Sequence, residues 1–371
     1  MERVSPLLGP LSPFDTRGLT EKRNLATAFN RPFSGYLGGL HNGGYWVSRL
    51  EDEWKSTFRI NNAIPCNSAT SGLLAACIAI GISPGDEVWC PVYTMSATAS
   101  CARILGANVK FFDIEPVRFS MNMNNFPGGP KPKAIIVTNL FGHPAYLEEM
   151  RSWCNANKVM MIEDNAQSPF ATTDGKYSGT IGHIGVFSLN VHKHMQTGEG
   201  GIVVTNESDL ALHIRDAINH GELRTPGIMG LNLRMTEQTA ALAVAQLNKG
   251  HSIIADRREL ALEITSMVKD IPFVLAPEEA IGCRHVYYQW AARIYGWKRG
   301  KFIATLAKHG LPMCCGYSPL LSTIFKSSGN YPVAEKMEYE ELVTFEICSY
   351  SPTNRQRKIM RDIFKIAGDE T

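Results

Sequence analysis

Between about residue 60 and about residue 205 the chain alternates short apolar runs with segments of helical period. Residues 69–80 are almost continuously small or apolar, with Asn67 or Ser68 placed to cap them and Gly81 placed to end them, which predicts a buried helix. Ser83-Pro84-Gly85-Asp86 carries turn chemistry, and 87–90 then reads as a buried strand. The alternation continues with a helix over 96–105 stopped by Gly106, strands over 109–113 and 134–138, a helix over 146–157 and a strand over 159–163. Apolar runs at 184–187 and 202–205 add two more strands. Short apolar strands between helices predict a mainly parallel sheet covered on both faces. After about residue 250 the pattern changes. A helical period over 236–268, interrupted near Gly250, leads to a strand over 286–293 and helices over 301–309 and 354–367, which predicts a smaller α+β unit. The first 45 residues, rich in Gly, Pro and Asn, read as an arm packing on the rest. The expected organisation is a large domain over 1–250 and a small C-terminal domain over 251–371.

Composition narrows the function classes. At 371 residues the chain exceeds the roughly 250–300 at which a single core stops growing, in keeping with two unequal domains. Apolar residues make up 44% and charged residues 19%, and a net charge of +2 favours neither nucleic acid nor a membrane surface as partner. The longest apolar run, 72–82, is well short of the roughly 20 residues that span a bilayer, and 1–6 has no apolar leader. The nine cysteines, including the adjacent Cys314 and Cys315, form no Cys-x-x-Cys pair. That leaves zinc without support, predicts no metal, and fits buried free thiols in a reducing cytoplasm. Trp46, Trp54, Trp89, Trp153, Trp290 and Trp297 read as packing residues.

Three segments carry chemistry. In Phe187-Ser188-Leu189-Asn190-Val191-His192-Lys193-His194, a lysine between two histidines follows one strand and precedes the glycine-rich turn into the next. A lysine in a dry, partly cationic pocket can form a Schiff base with a carbonyl compound. Glu163-Asp164-Asn165-Ala166-Gln167 ends a predicted buried strand, at the sheet edge where ligands bind in open α/β folds. Asp164 there serves either as a helix cap or as the partner of a cationic ring nitrogen, with an amide close enough to reach a ring oxygen. Cys66-Asn67-Ser68-Ala69-Thr70-Ser71-Gly72 is a small-residue loop opening a helix, whose free N–H groups suit a phosphate. Ser188 offers another hydroxyl. Together these are the parts that pyridoxal 5′-phosphate (PLP) requires: a lysine, an anion at the pyridine nitrogen and a phosphate anchor.

With these motifs the chain resembles the PLP-dependent sugar and aminocyclitol aminotransferases of the DegT/StrS type. The similarity runs from Phe33-Ser34-Gly35-Tyr36 to near the C-terminus, through Pro84-Gly85-Asp86-Glu87-Val88, Thr197-Gly198-Glu199-Gly200-Gly201, Asn219-His220-Gly221 and Asn232-Leu233-Arg234-Met235. The resemblance implies the fold-type-I architecture, in which a mainly parallel, mixed sheet lies between helices beside a smaller α+β domain. It implies that Lys193 is the Schiff-base lysine, Asp164 the pyridine-nitrogen carboxylate and Gln167 the residue near the ring hydroxyl. Ala69, Thr70 and Ser188 match phosphate-binding positions. Asn232 matches an asparagine that reaches the neighbouring subunit's cofactor, so the resemblance implies a homodimer with shared active sites and a two-fold axis.

Departures from the family pattern are also visible. Met95 stands where a ring-stacking aromatic is usual after Thr94, which leaves the stacking to Met95 or to Tyr93. Gly182-His183 replaces a usual Gly-Asp, and Asn165 brings an extra polar group beside Asp164. Cys315-Gly316-Tyr317-Ser318-Pro319 is closer to the aminocyclitol-type members than to the nucleotide-sugar ones. Tyr317, His220 and Arg234 are candidates for the substrate, with a core or interface role for His220 and a structural ion pair for Arg234 as the alternatives; His285 is read in the same way as His220. The activity implied is transfer of an amino group from L-glutamate or L-glutamine to a keto sugar, often nucleotide-linked, or to a keto-cyclitol. Two alternatives are a sugar dehydratase on the same scaffold, in which a histidine replaces the lysine, and a non-catalytic PLP-binding regulator.

Overall fold

A computed structural model of the chain describes residues 16–36, 41–295, 298–311, 313–347 and 353–370, together with the strand pair Val4–Ser5 and Gly9–Pro10. Trp297 and Cys348 lie outside the described residues. Seven strands form the central sheet: β1 (Asn62–Cys66), β2 (Glu87–Pro91), β3 (Asn108–Phe112), β4 (Ala134–Thr138), β5 (Met160–Asp164), β6 (Ile184–Ser188) and β7 (Gly201–Thr205). Their order is β1-β7-β6-β5-β4-β2-β3. β7 runs antiparallel to both of its neighbours, and the remaining pairings are parallel. The α/β fold with a mixed, mostly parallel sheet is therefore as predicted. β4, β6 and β7 are buried at every position, because helices cover both faces. That is why their sequences are unbroken apolar runs and not alternating ones.

The region predicted as an arm contains regular structure. Helix α1 (Leu19–Phe29) buries only Glu21 and Ala28 of its own residues. It is held by polar contacts to α7 (Glu237–Asn248): Gln246 Nε2 donates to Glu21 at 2.7 Å and Asn24 Nδ2 to the Ala241 carbonyl at 3.0 Å. Lys249 also pairs with Glu21. Helix α2 (Tyr45–Phe58) buries Trp46, Val47, Leu50, Trp54 and Phe58, a stripe at helical spacing. The carboxylate of Glu237 accepts the N–H groups of Gly44, Trp46 and Val47 at 3.1, 2.7 and 3.2 Å, and so serves as a cap borrowed from α7.

Helix α3 (Ala69–Ala79) matters most for the site. Ser68 caps it, with Oγ accepting the Ser71 N–H at 3.1 Å. A Cβ at Gly72 would lie 2.9 Å from both Val186 Cγ1 and Val203 Cγ2, so glycine is what lets this helix sit directly on β6 and β7. The interruption expected near Gly250 separates α7 from α8 (Gly250–Val268). A side chain at Gly250 would collide with the Phe170 ring at 2.4 Å.

A second core lies in the C-terminal part. Strands Val274–Leu275, Gln289–Ile294 and Leu342–Glu346 form an antiparallel sheet, and helices Arg299–Lys308 and Asn354–Glu370 pack with it. Trp290, Phe302, Leu306, Val343 and Phe364 are central to that core. Helix α8 spans both cores: Ile254 belongs with the large one and Leu260 onward with the small one. Leu320, Leu321, Tyr331, Ala334 and Met337 return to pack on the main sheet's core. Cys66, Cys77, Cys90, Cys101 and Cys154 are buried free thiols, whereas Cys314 and Cys315 are exposed. Among the described residues, no helix is long and apolar enough to cross a membrane.

Candidate active site

The carboxyl ends of β4, β5 and β6 open into a cavity of about 520 Å³, within the roughly 300–1,000 Å³ of small-molecule sites. Strand geometry sends Glu163 and Asp164 to opposite faces. Glu163 is fully buried away from the cavity and accepts the N–H groups of Gly179, Ile181 and Gly182 at 2.6, 2.8 and 2.6 Å, which makes it a fastener for that loop. Asp164 lines the cavity and is buried. Its Oδ2 accepts the Thr98 hydroxyl at 2.7 Å and its Oδ1 the Ala166 N–H at 3.2 Å. Burial raises the Asp164 carboxyl above its ordinary value, against the lowering effect of these bonds and of Lys193. A carboxylate this short of solvation favours a cationic partner.

Lys193 sits on the loop between β6 and β7. That loop folds back on itself: Leu189 N–H donates to the Gly200 carbonyl at 2.9 Å and Val191 N–H to Gly198 at 3.0 Å. Gly198 and Gly200 take φ values of +88° and +156°, conformations that disfavour other residues. The two flanking histidines behave differently. His192 lines the cavity, while His194 is fully buried with Nε2 donating to the Val286 carbonyl at 3.1 Å. With His194 held there, Lys193 is the residue of the pair that lines the cavity, its Nζ 4.5 Å from the centre of the Tyr288 ring. Burial pulls the lysine down to about 8, although the negative Asp164 opposes the shift. At pH 7 roughly one such amine in ten is neutral, against about one in three thousand at the ordinary value.

The opposite end of the cavity fits a phosphate. Of the first three N–H groups of α3, that of Ser71 is taken by the Ser68 cap, and those of Ala69 and Thr70 carry no intrahelical bond. Both residues line the cavity at the positive end of the helix dipole, with Ser188 beside them. A Cβ at Gly201 would meet the Ser68 carbonyl carbon at 2.5 Å and the Ala69 nitrogen at 2.6 Å, so glycine keeps this cradle in place against β7. The residues present therefore suit PLP: Lys193 for its aldehyde, Asp164 for its ring nitrogen and the α3 N-terminus for its phosphate.

The structure separates the other candidates. Gln167 lines the cavity, but its Oε1 accepts the Phe141 N–H at 2.7 Å and its Nε2 donates to the Tyr317 hydroxyl. Met95 lines the cavity and is half exposed. Tyr93 does not line it: the ring is buried in the main core, and its hydroxyl accepts the Tyr317 N–H at 2.9 Å. Through that bond it supports Tyr317, which does line the cavity. Asn165 is likewise no cavity group, because its Nδ2 donates to the carbonyls of Ser168 and Ser178 at 3.1 Å each. His183, in place of the usual aspartate, accepts the Met161 N–H at 2.8 Å through Nδ1. His285 is buried, with Nδ1 accepting the Tyr287 N–H at 2.9 Å, a satisfied core histidine.

His220, Asn232 and Arg234 lie outside this chain's cavity. Arg234 donates to Asn219 Oδ1 at 2.8 Å, while His220 and Asn232 are exposed. Sequence reasoning assigned no role to Thr98, Thr138, Tyr288, Gln289 or Glu346, all of which touch Asp164 or line the cavity. Nothing local marks Thr98 as the partner of an aspartate 66 residues further on.

The DegT/DnrJ/EryC1/StrS aminotransferase model matches residues 36–363. Among relatives, a GDP-perosamine synthase of Caulobacter vibrioides is 31% identical over 68% of this chain and 70% of its own length. A "pleiotropic regulatory protein" of Geobacillus stearothermophilus is 28% identical over 81% of this chain and 83% of its own. An aminotransferase structure from Psychrobacter cryohalolentis superposes with a TM-score of 0.87 at 24% identity, covering 97% of this chain and 99% of that one. The chain belongs to the DegT/DnrJ/EryC1/StrS aminotransferase family. It is a transaminase, and its cofactor is pyridoxal 5′-phosphate.

Proposed function

We propose that the enzyme moves an amino group from L-glutamate or L-glutamine to the carbonyl carbon of a keto sugar or keto-cyclitol. The donor leaves as its 2-oxo acid, and the acceptor carbonyl becomes a carbon bearing hydrogen and an amine. The observation that carries this reading is Lys193, lowered to about 8, in one cavity with the buried Asp164. The cofactor, when bound, supplies an aldehyde that carries nitrogen between the half-reactions and a cationic ring that accepts electrons. Asp164 keeps that ring nitrogen protonated. The neutral Lys193 amine takes the proton from the donor's α-carbon and delivers one to the acceptor's carbon. The Ala69 and Thr70 N–H groups and Ser188 hold the phosphate and so fix the ring against the lysine.

Gln289, Tyr317, Glu199 and Glu346, which line the cavity, are assigned to the acceptor in this reading. Apart from Lys193, no lysine or arginine lines the cavity among the described residues. Hydrogen-bonding groups without added positive charge suit a hydroxyl-rich ring. A structure of the Escherichia coli GDP-4-keto-6-deoxy-D-mannose-3-dehydratase superposes with a TM-score of 0.83 at 21% identity, so the same fold serves elimination as well. The burial of His194 away from the cavity argues for transfer in this chain. The same reading sets the exposed Asn232 against the cofactor of a second copy, in a homodimer with shared sites. The five buried free thiols among the described residues suit a reducing cytoplasm.

The test is to load the protein with PLP, add L-glutamate or L-glutamine, and follow loss of the bound cofactor's absorbance. Keto sugars and keto-cyclitols are then screened for its return. Bleaching by a donor and recovery with an acceptor are expected. Silence towards every donor would support a binding regulator, and release of water from a deoxysugar precursor without amine uptake would support a dehydratase.

A further inference from the structure

Thr138 is the last residue of β4, and it lies directly across from Asp164, the last residue of β5, in the parallel register of the two strands. Residues paired in this way send their side chains to the same face of a sheet. Both line the cavity. Thr138 is 4% exposed, yet its hydroxyl oxygen is buried without a hydrogen-bond partner. A buried hydroxyl left unpaired keeps its full desolvation penalty, and such groups normally bond to something. Because Thr138 lines the cavity, an occupant of the cavity is placed to supply that partner.

Depth selects the occupant. Met95 and Glu199 are exposed and mark the mouth, whereas Thr138 and Asp164 are buried side by side at the floor. An acceptor arriving through the mouth meets the first pair; a ring seated on Asp164 meets the second. The group on a PLP ring that accepts a hydrogen bond near its nitrogen is the phenolic oxygen. Gln167 is already committed twice, to the Phe141 N–H through Oε1 and to the Tyr317 hydroxyl through Nε2, leaving one N–H to offer. We propose that the Thr138 hydroxyl donates a hydrogen bond to the phenolic oxygen of the bound cofactor and so helps to position the ring and hold its oxygen ionised. Thr138 is then a cofactor-binding residue of this chain in addition to Gln167.

A donor at that oxygen draws electron density from the ring, which makes the nitrogen bridging cofactor and lysine easier to deprotonate. Removing the donor reverses the effect. The experiment titrates the absorbance of the PLP-loaded enzyme against pH and measures the Kd for PLP, in the parent and in Thr138→Val, Thr138→Ala and Thr138→Ser. Valine keeps the shape and loses the hydroxyl, while serine keeps the hydroxyl. In Thr138→Val and Thr138→Ala the pH midpoint of the absorbance change is expected to rise by about half a unit or more and the Kd by about tenfold. Thr138→Ser is expected to match the parent. A midpoint within 0.1 unit (~0.1) and a Kd within about twofold of the parent in both hydroxyl-free variants would overturn the proposal. So would a Thr138→Ser variant that behaves like Thr138→Val, since the hydroxyl would then not be the cause. The inference rests on PLP occupying this cavity; a parent that shows no cofactor absorbance at all removes that footing and is recognised before any variant is compared.

Discussion

At the floor of the cavity, Thr138, Asp164 and Ser188 are the last residues of three adjacent parallel strands, β4, β5 and β6. In the wall above, Tyr288, Gln289, Tyr317 and Glu346 arrive from separate segments of the C-terminal half. Gln289 and Glu346 are cross-strand neighbours in its sheet, and Tyr317 is tied back to Gln167 and Tyr93. The floor is thus set by where buried strands end, a backbone property. The wall is set by how a second core docks on the first. On the proposed function, this difference leaves the seating of the cofactor ring to the floor and the choice of acceptor to the wall.

Substitutions can break that division of labour. The largest effect is expected for Lys193→Ala, with transamination falling by about 10²–10⁴-fold or more while the fold is kept, since the side chain lines the cavity and belongs to none of the apolar cores. Single-turnover bleaching by glutamate alongside thermal unfolding would check both halves. Next is Gly201→Ala. Its added methyl meets backbone atoms of Ser68 and Ala69, which cannot swing aside as a side chain would. A stability loss of about 1–3 kcal/mol is expected, with a Kd for PLP raised more than that for its dephosphorylated form, pyridoxal. Equal weakening for both would mean that the cradle does not read the phosphate. The smallest effect is expected for Glu346→Gln. If Glu346 serves the acceptor, as the proposed function has it, the acceptor's KM should change several-fold while the amino-donor half-reaction stays within about twofold. A donor half-reaction slowed as much as the acceptor one would show that wall and floor are not separable.

The same division governs what could be read from the chain. β4 was legible to its last residue because both faces are buried and its apolar run stops where the strand does. Asp164 and Lys193 followed from their places next to such runs. The arm is the counterexample. Helix α1 has no apolar stripe to betray it, because it docks through Glu21 and Asn24 on α7. Tyr93 and Met95 were indistinguishable as ring covers, since only the docking of Tyr317 decides which of the two reaches the cavity. Thr98, Tyr288 and Glu346 acquire their significance from contacts across long stretches of chain, which no local pattern encodes.

The central claim is that burial in this cavity makes Lys193 an amine usable near neutral pH. The rate at which apoprotein captures PLP, measured from pH 6 to pH 11 (about 6 to 11) by the growth of bound-cofactor absorbance, tests this directly. Below the lysine's pKa the neutral fraction, and with it the rate, should rise about tenfold per pH unit, then level off above about 8. A rate that keeps climbing to a midpoint near the ordinary 10.5, or one that is the same in Lys193→Ala, would contradict it.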